Sequence, residues 1–124
     1  MKNLIIDLQD NGGGYLGTAY QLACHFLKNE DLVVYTEGRN SAPYYFRAEG
    51  DGDLQNGKVI ILVNQYSASA SEIVAGAIQD NDRGLVVGRR TFGKGLVQRP
   101  FPFPDGSMIR LTISRYHTPS GRCI

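Results

Sequence analysis

The chain has 124 residues, enough for one domain with a real core and too few for two. Its 42% apolar and 20% charged residues exclude the disordered and fibrous classes, and a formal net charge of +1 gives no electrostatic case for nucleic acid or an anionic membrane. No apolar run approaches the roughly 20 residues of a membrane span, and the opening MKNLIIDLQD reads as a strand rather than a secretion signal.

Residues 3–8 (NLIIDL) form a short, nearly continuous apolar run ended by polar residues and glycines, which predicts a buried strand. Leu16, Ala19, Tyr20, Ala23, Phe26 and Leu27 then recur at helical spacing, predicting a helix that ends near Lys28 and Asn29. LVVYTEG and YYFRAEG alternate and predict a strand pair connected by RNSAP, followed by the polar surface loop DGDLQNG. Residues 58–64 (KVIILVN) are the strongest strand, and their unbroken apolar character predicts cover on both faces.

SASASEIVAGAIQDN predicts a second helix with Ile73, Val74, Ala77 and Ile78 on one side, closed by Asp80, Asn81 and Asp82. GLVVG predicts a third buried strand. VQRPFPF and MIRLTISRYHT predict a hairpin around PDGS, with Pro100, Pro102 and Pro104 keeping its first arm at a sheet edge. This order predicts a single α/β domain over 1–124, layered, with a mainly parallel central sheet. Because the chain starts inside a strand and stops just after TPSGRCI, a piece of a longer protein is expected.

Cys24 and Cys123 fit no ligand spacing, and Cys24 reads as a free, buried thiol on the first helix. His25 is adjacent to Cys24, where helical side chains diverge, so a Cys–His dyad is not expected. His117 ends a strand without an acidic motif, and Asp10 reads as a turn residue rather than half of a carboxylate pair with Asp7. Tyr44, Tyr45 and Phe46 read as half-buried strand residues.

Three junctions can hold chemistry. NGGG (11–14) lies between a strand and a helix, where glycines free the backbone N–H groups to face an anion. The competing reading is a tight turn that needs small residues, and on spacing alone that reading is the stronger. Gly12, Gly14 and Gly17 match the bare G-x-G-x-x-G spacing, but no acidic residue follows at a suitable strand end, so a dinucleotide site is not supported.

SASASE (67–72) contains the S-x-x-E pattern of a capping box, which makes Ser69 an N-cap. The same serine, flanked by alanines after a strand, is also an unobstructed nucleophile whose neighbour Ala70 offers an N–H to an oxyanion. The residues leave both readings open.

GRRTFGKG (88–95) nearly spells a P-loop. Gly95 stands where a Mg²⁺-binding hydroxyl is required, and LVQRPFPF cannot form the helix that a phosphate site needs. What remains is Lys94 between glycines. In an apolar pocket a lysine loses the hydration of its charged form and becomes available as a neutral amine, which can take a proton from a serine hydroxyl. Gln98 can orient that amine without adding charge. The constellation is Ser69 as nucleophile, Lys94 as base and Gln98 as orienter, with Ala70 and a glycine of NGGG as oxyanion donors.

LIIDLQDNGGGYL, VIILVNQYSASASEIVAGAIQDNDRGLVVGRRTFGKGLVQ and DGSMIRLTISRYHTPSGRCI together resemble the carboxyl-terminal processing peptidases, or tail-specific proteases, of serine peptidase family S41. Gly12 stands where many members have proline. The resemblance implies Ser69 as nucleophile, Lys94 as base, Gln98 as its partner, and Gly14 and Ala70 as oxyanion donors, with no cofactor or metal. It implies a Clp-protease/crotonase-like core, cleavage of protein or peptide substrates near accessible C-terminal tails, and an extracytoplasmic, for example periplasmic, location for the intact protein. It also implies that an N-terminal region, a tail-binding PDZ domain and a C-terminal tail lie outside these residues. The alternatives are a non-catalytic interaction or assembly module, in which Ser69 only caps a helix, and, more weakly, a crotonase-like acyl-CoA enzyme.

Overall fold

The computed structural model describes residues 2–124. In chain order its elements are β1 (Asn3–Asp7), α1 (Leu16–Cys24), β2 (Leu32–Gly38), β3 (Ser41–Arg47), β4 (Lys58–Val63), α2 (Ala70–Asp80), β5 (Leu85–Gly88), β6 (Leu96–Pro102) and β7 (Met108–His117). The α/β class is as expected, but the strands divide between two sheets. The unbroken apolar runs pair in parallel in the order β1-β4-β5, and the alternating runs pair antiparallel in the order β3-β2-β7-β6. Proline-rich β6 lies at an edge, where a missing backbone donor is tolerated.

The parallel sheet is covered on one face only. Register puts Ile6, Ile61 and Val86 side by side, and Ile61 is fully buried. On the opposite face Ile5, Leu85 and Val87 are 63%, 66% and 49% exposed. β1 and β5 are therefore not the buried strands that their composition predicts. An unbroken apolar run marks two faces that can be covered, and among the described residues the helices cover just one.

α2 is the centre of the packing. Ala70 through Ile78 are all buried, and the helix lies against α1, β2 and β5. Small residues permit this. A side chain at Gly76 would meet Thr118 Cγ2 at 2.8 Å. α1 stops at Cys24, earlier than its apolar spacing suggests, because the Phe26 N–H turns back to Ala23 O at 3.0 Å. Phe26 and Leu27 still reach the core from the following turn.

The β2–β3 connection is shorter than expected. Gly38 pairs with Ser41, so only Arg39 and Asn40 turn the chain, and Pro43 falls within edge strand β3. Both cysteines are free, with Cys24 half-buried. His25 Nδ1 meets Asp53 Oδ1 at 2.6 Å rather than Cys24, and His117 stacks on Tyr35.

Candidate active site

Parallel strands deliver successive loops to one end of their sheet. NGGG follows β1, SASAS follows β4 and TFGKG follows β5, so all three motifs leave the carboxyl ends of three adjacent strands. Side chains then tie these loops together. The buried Ser67 hydroxyl donates to Leu8 O at 2.6 Å, and the Asp10 and Asn64 side chains bridge the ends of β1 and β4. The Ala68 N–H donates to Asn11 O at 3.0 Å, Ser71 Oγ donates to Asn11 Oδ1 at 2.9 Å, and the Phe92 N–H donates to Ser67 O at 3.0 Å.

Ser69 has φ 56° and ψ −116°, a sparsely populated conformation for a residue with a side chain. Such strain costs on the order of 1–3 kcal/mol and persists only where the surroundings over-determine it. Here they do so through Glu72, whose Oε2 accepts the Ser69 N–H at 2.8 Å. The pattern has the form of a capping box. The Glu72 N–H donates to the Ser69 carbonyl at 2.9 Å and also closes the box on the Ser69 side chain.

Ala70 begins α2, so its N–H has no acceptor within the helix. Among the described residues, neither that N–H nor the Gly14 N–H is donated to a protein acceptor. Gly13 brings the two loops into contact. With φ 91°, an added Cβ there would lie 2.8 Å from Ala70 N and 2.9 Å from Ser69 Cβ. Two unsatisfied donors beside a strained serine form an arrangement suited to receiving an oxyanion.

The Lys94 backbone belongs to this junction, and its N–H donates to Glu72 Oε2 at 2.9 Å. The Ser69 and Lys94 nitrogens are therefore within about 6 Å of each other, since both hydrogen bonds end on one atom. The apolar enclosure expected around the lysine side chain is not formed by the described residues. Lys94 is exposed, with Phe92 and Leu96 beside it also open to solvent. Gln98 is exposed on β6, opposite Thr112, and no hydrogen bond joins its side chain to Lys94.

Two residues at this junction were read too narrowly from sequence. Asn11 passed as part of a turn, yet its side chain accepts from both Gly13 N–H and Ser71 Oγ. Glu72 passed as a helix cap, yet it also accepts from the Gly93 N–H at 2.6 Å. The available signal was its setting. A carboxylate within a run of small and apolar helical residues is buried, and a buried carboxylate requires several donors.

A groove of about 290 Å³ adjoins the free donors, lined by Leu8, Asn11, Gly13, Gly14, Tyr15, Thr18, Ala19, Leu22, Ala70, Ser71 and Val74. Its walls are mostly apolar, suited to an uncharged side chain.

A model of peptidase family S41 matches residues 1–124. Over 115 residues the chain is 43% identical to a carboxyl-terminal-processing protease of Picosynechococcus sp., covering 93% of this chain and 27% of that protein. A chloroplastic C-terminal processing peptidase of Tetradesmus obliquus is 39% identical over 121 residues, covering 98% of this chain and 26% of that one. The chain thus spans about a quarter of the length of these curated relatives. Among solved structures, a photosystem II D1 C-terminal processing protease superposes with a TM-score of 0.93 at 35% identity, covering 99% of this chain and 32% of that one.

Proposed function

The chain belongs to peptidase family S41, and from that membership and the site geometry we propose that it is the catalytic core of a serine endopeptidase cleaving proteins near their C-termini. Ser69 is the nucleophile, Lys94 the base, Gln98 the residue that orients the lysine, and the Gly14 and Ala70 N–H groups hold the oxyanion. The observation that carries this reading is a strained serine beside two backbone donors without acceptors among the described residues.

Neutral Lys94 takes the Ser69 hydroxyl proton as Oγ attacks the peptide carbonyl carbon. The Gly14 and Ala70 N–H groups receive the negative oxygen, which they meet as ready-oriented dipoles. As the C–N bond breaks, the proton passes from Lys94 to the departing amine, leaving an acyl ester on Ser69. Water, deprotonated by the same amine, hydrolyses that ester. Lys94 is exposed in the free chain, and a polypeptide laid across the site covers it. The groove lined by Ala19, Leu22 and Val74 takes an apolar side chain of the substrate next to the cleaved bond.

Substrates are proteins with accessible C-terminal tails. The intact protein works in an extracytoplasmic or lumenal compartment, a reading supported by relatives that include a chloroplastic peptidase. A serine-reactive acylating probe tests the proposal. Labelling at Ser69 that rises with pH and is lost in Ser69→Ala supports the peptidase, whereas no labelling of Ser69 at any pH favours a non-catalytic assembly module.

A further inference from the structure

We propose that Glu72 is a positioning residue whose carboxylate sets the register between the nucleophile loop and the lysine loop. This inference rests on the peptidase reading and adds a residue to it. Glu72 is 5% exposed. Oε2 accepts the N–H of Ser69 at 2.8 Å and that of Lys94 at 2.9 Å, while Oε1 accepts the N–H of Gly93 at 2.6 Å. One buried side chain thus holds the backbone of both reacting residues, which are carried by loops following different strands.

Chemistry explains why a carboxylate suits this place. An ionised carboxylate is an acceptor only, with room for about four hydrogen bonds on its two oxygens. Three N–H donors converge on it, and no Lys, Arg or His side chain pairs with it among the described residues. A neutral amide of the same shape cannot substitute, because its NH₂ group would face at least one N–H donor. Near the start of α2 the negative charge is also favoured by the helix dipole.

The clasp acts at a distance from the bond being cleaved, so its effect is on alignment. The Lys94 side chain is exposed and makes no hydrogen bond among the described residues, and its backbone anchor therefore determines where the amine starts from. A displacement of about 1 Å between reacting groups lowers rates on the order of 10²-fold. A residue that only capped α2 through Ser69 would leave the protection of the Gly93 and Lys94 amides unchanged.

The test is single-turnover acylation of Ser69 by a β-lactone probe across pH in the full chain, comparing the native protein with Glu72→Gln below the melting temperature of both. Amide hydrogen exchange at Gly93 and Lys94 is followed in parallel. The expected result is labelling of Glu72→Gln slowed about 10²-fold, with a flattened pH profile and faster exchange at those two amides while α2 stays protected. Native rate and native pH profile in Glu72→Gln overturn the proposal and leave the peptidase reading intact. No labelling of Ser69 in the native chain overturns both. Should Glu72→Gln not fold, Glu72→Asp carries the same test, since it keeps the charge but is too short to span both loops.

Discussion

Gly13→Ala is the sharpest probe of the proposed oxyanion arrangement, because the structure fixes where the new methyl goes. At Gly13 the backbone has φ 91°, and a Cβ would lie 2.5 Å from Ala68 O, 2.8 Å from Ala70 N and 2.9 Å from Ser69 Cβ. Alanine in that backbone region costs on the order of 1–3 kcal/mol. Crowding against backbone atoms, which cannot swing aside as a flexible side chain can, adds about 1–3 kcal/mol. The loop can relieve both only by withdrawing from the serine.

The methyl also lies against the Ala70 N–H, one of the two donors awaiting an acceptor. Loss of one oxyanion donor lowers kcat about 10²–10³-fold. Gly13→Ala is thus expected to lower unfolding stability by about 3 kcal/mol and to slow Ser69 acylation by at least two orders of magnitude. Gly12→Ala is the control, having no atom within 4 Å of its new Cβ, and is expected to stay within about 0.5 kcal/mol of the parent. Urea unfolding and probe acylation of the two variants decide the matter. Parental acylation in Gly13→Ala would refute the reasoning.

Two further outcomes follow from the same geometry. Ser69→Gly and Ser69→Ala both lose acylation, but glycine tolerates φ 56° and alanine does not, so the glycine variant is expected to be about 1 kcal/mol the more stable in urea unfolding. Asp80 accepts from Ser120 N–H and Ser120 Oγ and pairs with Arg122, tying residues 118–122 to the end of α2. Burial raises its proton affinity, but bonds from Thr118 and Ser120 and the Arg122 charge outweigh burial and leave its pKa below the ordinary 3.8. A lowered folded value means that this contribution is present above pH 3.8 and is lost as the pH falls through the folded value. Asp80→Asn is expected to cost about 2 kcal/mol at neutral pH and to remove that acid-range slope. An unchanged slope in urea unfolding from pH 5 to 2 would contradict the assignment.

Much of the architecture is legible because it depends on local pattern. The run KVIILV has no other good use than a central strand, and PDGS between two extended segments closes a hairpin whatever surrounds it. The motifs at Ser69 and Lys94 were visible for the same reason, each following an apolar strand. What sequence did not reveal is relational. The exposure of Leu85 and Val87 depends on which face of the sheet receives helices, and the exposure of Lys94 depends on what lies over a loop. Asn11 and Glu72 matter through hydrogen bonds to backbone groups, which every residue possesses, so no partner residue type signals them. A four-residue capping pattern accounts for only one of the three N–H groups that Glu72 accepts.

The bonds that knit the three loops have a consequence for the life of the protein before it is finished. Ser71 is tied to Asn11 across 60 positions of sequence, and Glu72 reaches Lys94 across 22 more downstream. Pairings of such separation form late, after the intervening chain has been ordered. A nascent chain that has emerged only as far as Ser69 lacks Lys94, and an unfolded one does not bring the Gly14 and Ala70 N–H groups together. The junction that joins the three loops therefore arrives with closure of the whole domain rather than with any one segment, and any activity proposed for it arrives then too.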